Sequence, residues 1–454
     1  MQELICTGNL HPNFASEITK NSITMKKVLI LLLVFVPFAG QAQEYSLEQY
    51  LEKVERENTS IRKAQNDTRQ SAEDVKMARS EYLPHISASL GYRRDFNNSY
   101  MYVNGGQEGA EDFPNKFSVN FKNTLNGAVT LEQSIYNAPA LANRKIAKLA
   151  NAYAKLSQAD QANEVVKQGT LLFYQALYAK ESLVILEENS ALAQNQYQQV
   201  REMFTNGLAS EFSMRQSELY YQQTLPDIEN ARNTVGNLMR ELRLLANIKE
   251  KEPFEIKGEI ALPDDTYVPT DESVFPEGTL KMEQGLKRMT LAKQEIALSK
   301  AAYLPKVTFN LGYTLDAFDD KFRFKDRNGV GYGTFNLSIP IFSGGFNRSK
   351  VRKSHLAYEK SKMEYMDLGN RLEKEYLNLL ADKELALTQI STNRKLVELA
   401  DKEIQASEEK LRLGLVTNLE LRETRISYIQ AKLQLLNATL DYQTAVVNIR
   451  NLLK

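Results

Sequence analysis

Apolar and polar residues alternate along two stretches of the chain, one after Pro84 and one after Pro305. An alternation with a period of two predicts a β-strand. The apolar positions of these outward strands are Ile86, Ala88, Leu90 and Tyr92, then Val307, Phe309, Leu311 and Tyr313. The apolar positions of the predicted return strands are Phe117, Val119, Phe121, Val129 and Leu131, then Phe335, Leu337, Ile339 and Ile341. Such strands fit either a tilted membrane-crossing sheet or a soluble sheet with one buried face.

Most of the remaining chain has the spacing of α-helices. Apolar positions three or four residues apart predict a helix over residues 46–83, although Asn58 occupies one of these positions. Two stretches without proline, residues 140–205 and 346–413, predict helices of about 100 Å each. A further helix is predicted over residues 208–247.

The second long stretch carries a seven-residue repeat. Its two registers are Ile390, Val397, Ile404 and Leu411, and Ala386, Asn393, Ala400 and Ser407. A heptad with small residues along one seam favours lateral packing of helices as a coiled coil. Taken alone, the pattern is also compatible with a generic structural rod.

The chain contains an internal duplication of one large unit. Three pairs of segments match in the same order: 82–92 with 303–313, 131–136 with 337–342, and 204–218 with 411–425. Each predicted unit runs helix, strand, loop, strand, long helix, turn, helix. We therefore divide the chain into a first repeat (43–249), a connector rich in proline that forms a small side element (250–272), and a second repeat (273–454).

The N-terminal region has the layout of a secretory signal peptide. Lys26 and Lys27 precede an apolar run over residues 28–38, and small residues follow in the predicted signal peptide, 25–42. Residues 1–24 are then an upstream extension, and Cys6 is lost with it. No later segment has the 18 consecutive apolar residues of a transmembrane helix. If the exported chain enters a membrane, we expect it to do so as a closed β-barrel.

Composition excludes several classes of function. Lys plus Arg (57) equal Asp plus Glu (57), which argues against a nucleic-acid partner. With three histidines and one cysteine, the chain has too few His and Cys ligands for a zinc site and too few cysteines for a disulfide framework. His85 and His355 are interpreted as structural or surface residues. No nucleophile motif or phosphate-binding loop supports a hydrolase, and no cofactor is expected.

With these features together, the chain resembles the TolC-like outer-membrane efflux proteins over residues 43–454. The most specific motifs are Tyr303-Leu304-Pro305 followed by Gly312-Tyr313, and the run from Ile339 through Gly344 and Gly345. The resemblance implies a mainly α fold with a small β part, in which three chains form a helical tunnel and a twelve-stranded transmembrane barrel. It implies a passive channel in the outer membrane of a Gram-negative bacterium, in contact with lipid, a periplasmic adaptor and an inner-membrane transporter.

The resemblance also assigns roles to residues. The hairpin tips that would dock the adaptor are Gly207, Leu208, Ala209 and Ser210, and Gly414, Leu415, Val416 and Thr417. The transitions between helix and strand are placed at Pro84, Pro305, Gly344 and Gly345. Glu420 and Glu423 match a constriction-lining acidic pair, while the first repeat has Ser213 and Gln216 there. The alternative for the two acids is a solvated helix face paired with Arg422 or Arg425.

Two other functions stay open at this point. The same architecture could serve as the exit duct of type I polypeptide secretion. A different class, a soluble periplasmic coiled-coil scaffold without a pore, would also explain the long helices.

Overall fold

The structure, a computed structural model, describes residues 44–102, 116–260, 275 and 278–454. The predicted upstream extension, signal peptide and Cys6 lie outside the described residues, as do residues 261–272 of the connector. The helices within the described part are α1 (Leu47–Glu57), α2 (Thr59–Ser80), α3 (Ala138–Thr205), α4 (Glu211–Leu245), α5 (Leu280–Ala301), α6 (Phe346–Arg412) and α7 (Asn418–Leu452). The strands are β1 (Glu44–Tyr45), β2 (His85–Arg94), β3 (Tyr100–Tyr102), β4 (Lys116–Ser118), β5 (Asn123–Asn137), β6 (Glu255–Ile256), β7 (Lys306–Asp319) and β8 (Asp326–Ser338).

One order of elements occurs twice along the chain. The first occurrence is α2, β2, β5, α3 and α4, and the second is α5, β7, β8, α6 and α7. In each, a helix leads into a strand pair, a helix of 67 or 68 residues leaves the sheet, and a 35-residue helix returns. The shorter helices α2 and α4 pack along α3, and α5 and α7 pack along α6.

The four long strands form one antiparallel sheet in the order β2–β5–β7–β8. The register pairs Ile86 with Leu131, Leu131 with Leu311, and Leu311 with Gly333, so these residues share one face. The apolar side chains of this face are largely exposed in the single chain, among them Ile86, Leu90, Leu311, Phe335 and Leu337. The alternation that predicts the outward strands is therefore confirmed, and β2 and β8 form the two open edges.

The return strands differ from the prediction in two places. The strand β8 ends at Ser338, so Ile339 and Ile341 lie beyond it, because Pro340 has no N–H to donate to a ladder. The segment with Phe117 belongs to a separate hairpin of β3 and β4, and the main strand β5 begins only at Asn123. Between them, the side chain of Asn120 accepts the backbone N–H of Ser99 at 2.7 Å and so replaces a strand hydrogen bond.

The helix predicted over residues 46–83 is interrupted at Asn58. The Oδ1 atom of Asn58 accepts hydrogen bonds from the backbone N–H groups of Ser60 and Ile61, which begins a new helix. Its Nδ2 atom donates to the backbone oxygen of Leu245 at 2.8 Å, so the buried side chain joins the end of α4 to the break between α1 and α2.

The seven-residue repeat of α6 faces its neighbours as predicted. Ala386, Ile390, Ile404 and Ser407, which belong to the two registers of the repeat, are buried against packed helices. The other faces of α6 carry charged residues. Among the described residues, no helix combines the length and the apolar character needed to cross a membrane.

The main apolar core lies midway along α3. Tyr50, Phe173, Leu242 and Phe254 are its buried centre, and the short parallel pair of β1 and β6 covers it. Gly169 of α3 lies at this level because a Cβ atom there would come within 3.2 Å of the Leu51 side chain. Residues 250–260, the described part of the predicted connector, thus contribute Phe254 and Ile256 to the core.

Tyr50 has both an apolar and a polar role in this core. Its ring is fully buried beside Phe173, and its hydroxyl donates to the backbone oxygen of Leu242 at 3.1 Å. Burial raises the pKa of this hydroxyl, which keeps it protonated and able to donate.

Substitutions of Tyr50 should therefore distinguish the contribution of apolar packing to the free energy of unfolding from that of the hydrogen bond. We expect Tyr50→Ala to lower the free energy of unfolding by about 3–5 kcal/mol because it leaves a cavity. Tyr50→Phe should cost about 1 kcal/mol because only the hydrogen bond is lost. Denaturant unfolding followed by circular dichroism measures both, with Tyr102→Ala at an exposed position as control. Equal losses from Tyr50→Ala and Tyr102→Ala would contradict the assignment of the core.

Candidate functional site

The two long hairpins end in the same backbone motif. Gly207 and Gly414 follow the ends of α3 and α6 with φ of 73° and 72°, in the left-handed region that glycine adopts without strain. Gly207 donates to the oxygen of Phe204 and Leu208 donates to that of Met203. The second repeat has the same two bonds, from Gly414 to Leu411 and from Leu415 to Lys410. Both turns are therefore Schellman motifs, which satisfy the last carbonyl groups of each helix.

Each glycine and the three residues after it form a loop that is mostly exposed. Leu208 and Leu415 are 73% and 71% exposed. Ser210 and Thr417 then begin α4 and α7, with their side chains accepting the N–H groups of Ser213 and Glu420. The structure thus places Gly207, Leu208, Ala209 and Ser210, and Gly414, Leu415, Val416 and Thr417, at the ends of two equivalent helix pairs.

Glu420 is part of the cap of α7. Its Oε2 atom accepts the backbone N–H of Thr417 at 2.7 Å and the hydroxyl of Thr417 at 3.0 Å. The backbone hydrogen bond, followed by that of the hydroxyl, lowers the pKa of the Glu420 carboxyl. A capping box needs a side-chain acceptor at the third residue of the helix. The local sequence Thr417-x-x-Glu420 therefore accounts for a glutamate at position 420 even if it has no role in a pore.

Glu423 lies one turn further along α7 and is exposed. Both acids line a groove of about 690 Å³ between α6 and α7, together with Glu403, Lys410 and Ser407. Glu420 and Glu423 therefore share a surface, as their spacing predicts, but the carboxylate of Glu420 points back to its cap. Ser213 and Gln216 of the first repeat line a smaller recess beside Asn418 and Tyr220.

Arg422 and Arg425, the residues that could pair with these acids, have other contacts. Arg425 is 8% exposed and donates to the carboxylate of Glu408 on α6 at 3.1 Å. The guanidinium of Arg422 lies over the ring of Tyr220, 5.6 Å from its centroid.

A polar cluster missed by the sequence analysis joins the two hairpins near their ends. Arg425 of α7 also donates to Gln196 of α3 at 3.4 Å, and Gln196 donates to Asn418 at 3.2 Å. Together with Glu408 these residues connect α3, α6 and α7 through one buried cation. The only signal in the sequence is that Arg425 follows the apolar Leu421 by four residues and so falls on the inward face.

The predicted transitions lie between helix and strand in both repeats. Pro84 separates the end of α2 from β2, and Pro305 separates the end of α5 from β7. Gly344 and Gly345 precede α6 with φ of 59° and 85°. His85 and His355 are exposed. Across the described part of the chain, no group of three or more His, Cys, Asp or Glu residues is arranged to hold a metal ion.

Comparisons with known proteins agree with this geometry. Residues 280–453 match the model of a family described as outer membrane efflux protein. The outer membrane protein TolC of Escherichia coli (strain K12) is 21% identical over 94% of this chain and 86% of its own length. The proteases secretion protein PrtF of Dickeya chrysanthemi is 20% identical over 94% of this chain and 91% of its own.

A solved structure has the same fold. The Campylobacter jejuni CmeC outer membrane channel superposes with a TM-score of 0.72 at 15% identity, over 90% of this chain and 85% of that one. These comparisons confirm the resemblance to TolC-like outer-membrane efflux proteins, the mainly helical fold with a smaller strand part, and the role of an outer-membrane exit duct. The family whose model matches residues 280–453 consists of outer-membrane efflux channels, which are not enzymes.

The cap of α7 should respond to acid through Glu420. A lowered pKa means that its contribution to stability is complete above the ordinary value of 4.5 and is lost as pH falls through the lower folded value. We expect amide exchange of residues 414–424, corrected for intrinsic rates, to accelerate as pH falls below that value. Glu420→Gln keeps the capping hydrogen bond but has no charge to lose, so its corrected exchange should not change with pH. An identical acid response in this variant would contradict the role of the carboxylate.

Proposed function

We propose that this chain works as a homotrimeric exit duct of a tripartite export system, with a periplasmic adaptor and an inner-membrane transporter. The observation that carries the proposal is the four-stranded sheet with two open edges and an exposed apolar face, joined to two long helices. The comparisons support the role of an exit duct. The trimer, the contact with an adaptor and the constriction are what we propose in addition.

The sheet gives the reason for three copies. Every residue of β2 and of β8 is exposed in the single chain, so both edges leave backbone hydrogen-bonding groups without strand partners. Pairing β8 of one copy with β2 of the next removes both edges, and three copies of four strands close a barrel of twelve. The apolar face with Ile86, Leu90 and Phe335 then contacts outer-membrane lipid.

The same face argues against a soluble scaffold. A soluble sheet with one buried face needs a second layer against that face, and the described elements supply none. The helices α3 and α6, about 100 Å long, extend away from the sheet and would form the periplasmic tunnel.

The hairpin tips are the proposed adaptor contacts. Each presents one exposed leucine, Leu208 or Leu415, on a loop held rigidly by a Schellman motif and a helix cap. Three chains would present six equivalent loops at the periplasmic end, which suits docking of a repeated partner.

Glu420 and Glu423 are the proposed constriction. In a trimer they give six carboxylates, and such rings attract cations. The cap holds Glu420 in place, while Glu423 is exposed in the groove.

Secreted polypeptides are a second candidate cargo. The specific observation is the similarity to PrtF, whose name assigns it to protease secretion, over 94% of this chain. The match of residues 280–453 to the outer membrane efflux protein model leaves efflux substrates and polypeptides both compatible with the duct.

Adaptor docking can be tested by adding charge to the tips. We expect Leu208→Glu with Leu415→Glu to abolish export because two exposed apolar contacts become charged, while trimers still reach the outer membrane. Export is measured as substrate accumulation in cells, and trimers by native electrophoresis of outer-membrane fractions.

The matched control is Gln198→Glu with Gln405→Glu, which adds the same charge at exposed positions about 15 Å back along the two long helices. The control should export normally. Undiminished export by the leucine variant would refute docking at the tips, whereas absence of trimers from both variants and the parent chain would refute the channel.

The constriction is tested in planar bilayers. The trimer should prefer cations and be blocked from the periplasmic side by a trivalent cation. Glu420→Gln with Glu423→Gln should raise the half-blocking concentration about tenfold or more, since it removes the ring charges but keeps the cap. Glu398→Gln with Glu409→Gln, two exposed acids of α6, should leave the block unchanged. Persistent block in the first variant would place the constriction elsewhere.

A further inference from the structure

A stripe of one apolar residue and three lysines occurs on both long helices, close to the sheet. The two lysine stripes are Leu141, Lys145, Lys148 and Lys155 on α3, and Phe346, Lys350, Lys353 and Lys360 on α6. In each, the lysines follow the apolar residue by four, seven and fourteen positions, a spacing that puts all four side chains on one helix face. All eight residues are exposed. The same stripe is thus present in both repeats.

The apolar residue of each stripe continues the exposed apolar face of the sheet. Tyr136, near the end of β5, lies opposite Val307 and is 37% exposed. Leu141 lies in the first turn of α3 and is 42% exposed. In the second repeat, Phe342 and Phe346 are exposed in the same succession. Apolar surface therefore extends from the sheet to the first turn of each long helix.

The positive charge of the stripes is concentrated at their sheet end. Within the part of the chain that the structure describes, the first two lysines of each stripe form no ion pair with a carboxylate. The helix α3 has no acidic residue before Asp160, and α6 has none before Glu359. Lys360, the last lysine of the second stripe, is paired with Glu364 at 3.7 Å. The lysines nearest the sheet are therefore the ones with charge available for an anion.

The stripe on α3 does not owe its exposure to the absence of other copies. The helix α3 contacts α2, which leads into β2, and α5, which leads into β7. Because β5 lies between β2 and β7, α3 has neighbours from its own chain on both sides. Additional copies would join the chain at the edges β2 and β8, so the stripe on α3 would stay exposed in the assembly.

We propose that the first two lysines of each stripe bind the headgroups of anionic phospholipids in the periplasmic leaflet of the outer membrane. These residues are Lys145, Lys148, Lys350 and Lys353. The apolar residue at the head of each stripe contacts the hydrocarbon, and the lysines next to it bind the phosphate groups. The inference rests on the proposed insertion of the sheet in the outer membrane.

The rise of the helix determines which lysines reach the headgroups. At 1.5 Å per residue, the first two lysines lie about 6 and 10 Å from the apolar residue, and the third lies about 21 Å from it. The headgroup layer on one side of a bilayer is roughly 5–8 Å thick. Because a lysine side chain can turn back towards the bilayer, the first two reach this layer. Lys155 and Lys360 lie beyond it and are matched controls on the same helix faces.

Tryptophan fluorescence tests the placement, because the chain contains no tryptophan of its own. The full chain with Leu141→Trp is reconstituted in phosphatidylcholine vesicles that contain either brominated phosphatidylglycerol or the same fraction of brominated phosphatidylcholine. We expect both lipids to quench the fluorescence, with an apparent affinity about fivefold higher for the anionic lipid. Quenching by neither lipid would place the stripe inside the tunnel and overturn the proposal. Equal affinities would overturn the preference for an anionic headgroup.

Removal of charge tests the role of the lysines. In the Leu141→Trp background, Lys145→Gln with Lys148→Gln should abolish the preference for phosphatidylglycerol and leave quenching by phosphatidylcholine unchanged. Lys155→Gln should keep the preference, since its side chain lies beyond the headgroups. Circular dichroism checks that each variant is folded. A preference that survives the double substitution, or one that is lost equally in the control, would refute binding by these lysines.

The second stripe gives an independent measurement. Phe346→Trp should show the same lipid preference, and Lys350→Gln with Lys353→Gln should abolish it, whereas Lys360→Gln should not. A preference that does not depend on these two lysines would overturn the assignment for α6.

A position on the sheet distinguishes failure of this inference from failure of the proposed function. Phe335→Trp lies on the exposed apolar face of β8 and should be quenched by both brominated lipids. Quenching there, with none for Leu141→Trp and Phe346→Trp, would contradict only the lipid contact of the lysine stripes. Absence of quenching at all three positions would contradict insertion of the sheet in a membrane, and with it the proposed function.

Discussion

Unpaired backbone at the sheet edges is the constraint on which this architecture depends. The sheet order β2–β5–β7–β8 places the first and last long strands at opposite edges, each with a row of N–H and C=O groups. Within a membrane such groups must be paired, because no water is available to hydrogen-bond them. In the proposed trimer, additional copies supply the missing partners and the long helices that leave the same sheet are brought side by side. On that proposal, the sheet edges determine how the helices meet.

Much of the fold is predictable because two local periodicities are strong. The alternation around Leu311 and the heptads around Ile390 depend only on neighbouring residues, and both are found in the structure. The break at Asn58 is not predictable by spacing, since its side chain is fixed by Leu245, a residue 187 positions away. The end of β8 before Pro340 follows from a missing N–H, which a count of apolar positions ignores.

The candidate site likewise has one part that the sequence predicts and another that it does not. Gly207 and Gly414 are recognisable because the left-handed turn at a helix end favours glycine, and both have that conformation. The contacts of Arg425 join residues 17 and 229 positions apart, so no local pattern could reveal Glu408 and Gln196 as its partners. Glu420 is three residues from Glu423, which predicts an acidic pair, and three residues from Thr417, which predicts a capping box. Only the structure shows that its carboxylate is hydrogen-bonded to Thr417.

The pairing of β5 with β7 has a consequence for the order of events during synthesis. The side chain of Asn123 donates to the backbone oxygen of Asp319, 196 residues later, and the whole ladder between these strands has comparable separations. The hairpin of β2 and β5 is complete long before its partner has been made, and until then the edge of β5 has no strand partner. Long-range pairing of this kind slows folding and prolongs exposure of aggregation-prone strands. A nascent chain with this topology therefore depends on protection of its first hairpin until the second repeat arrives.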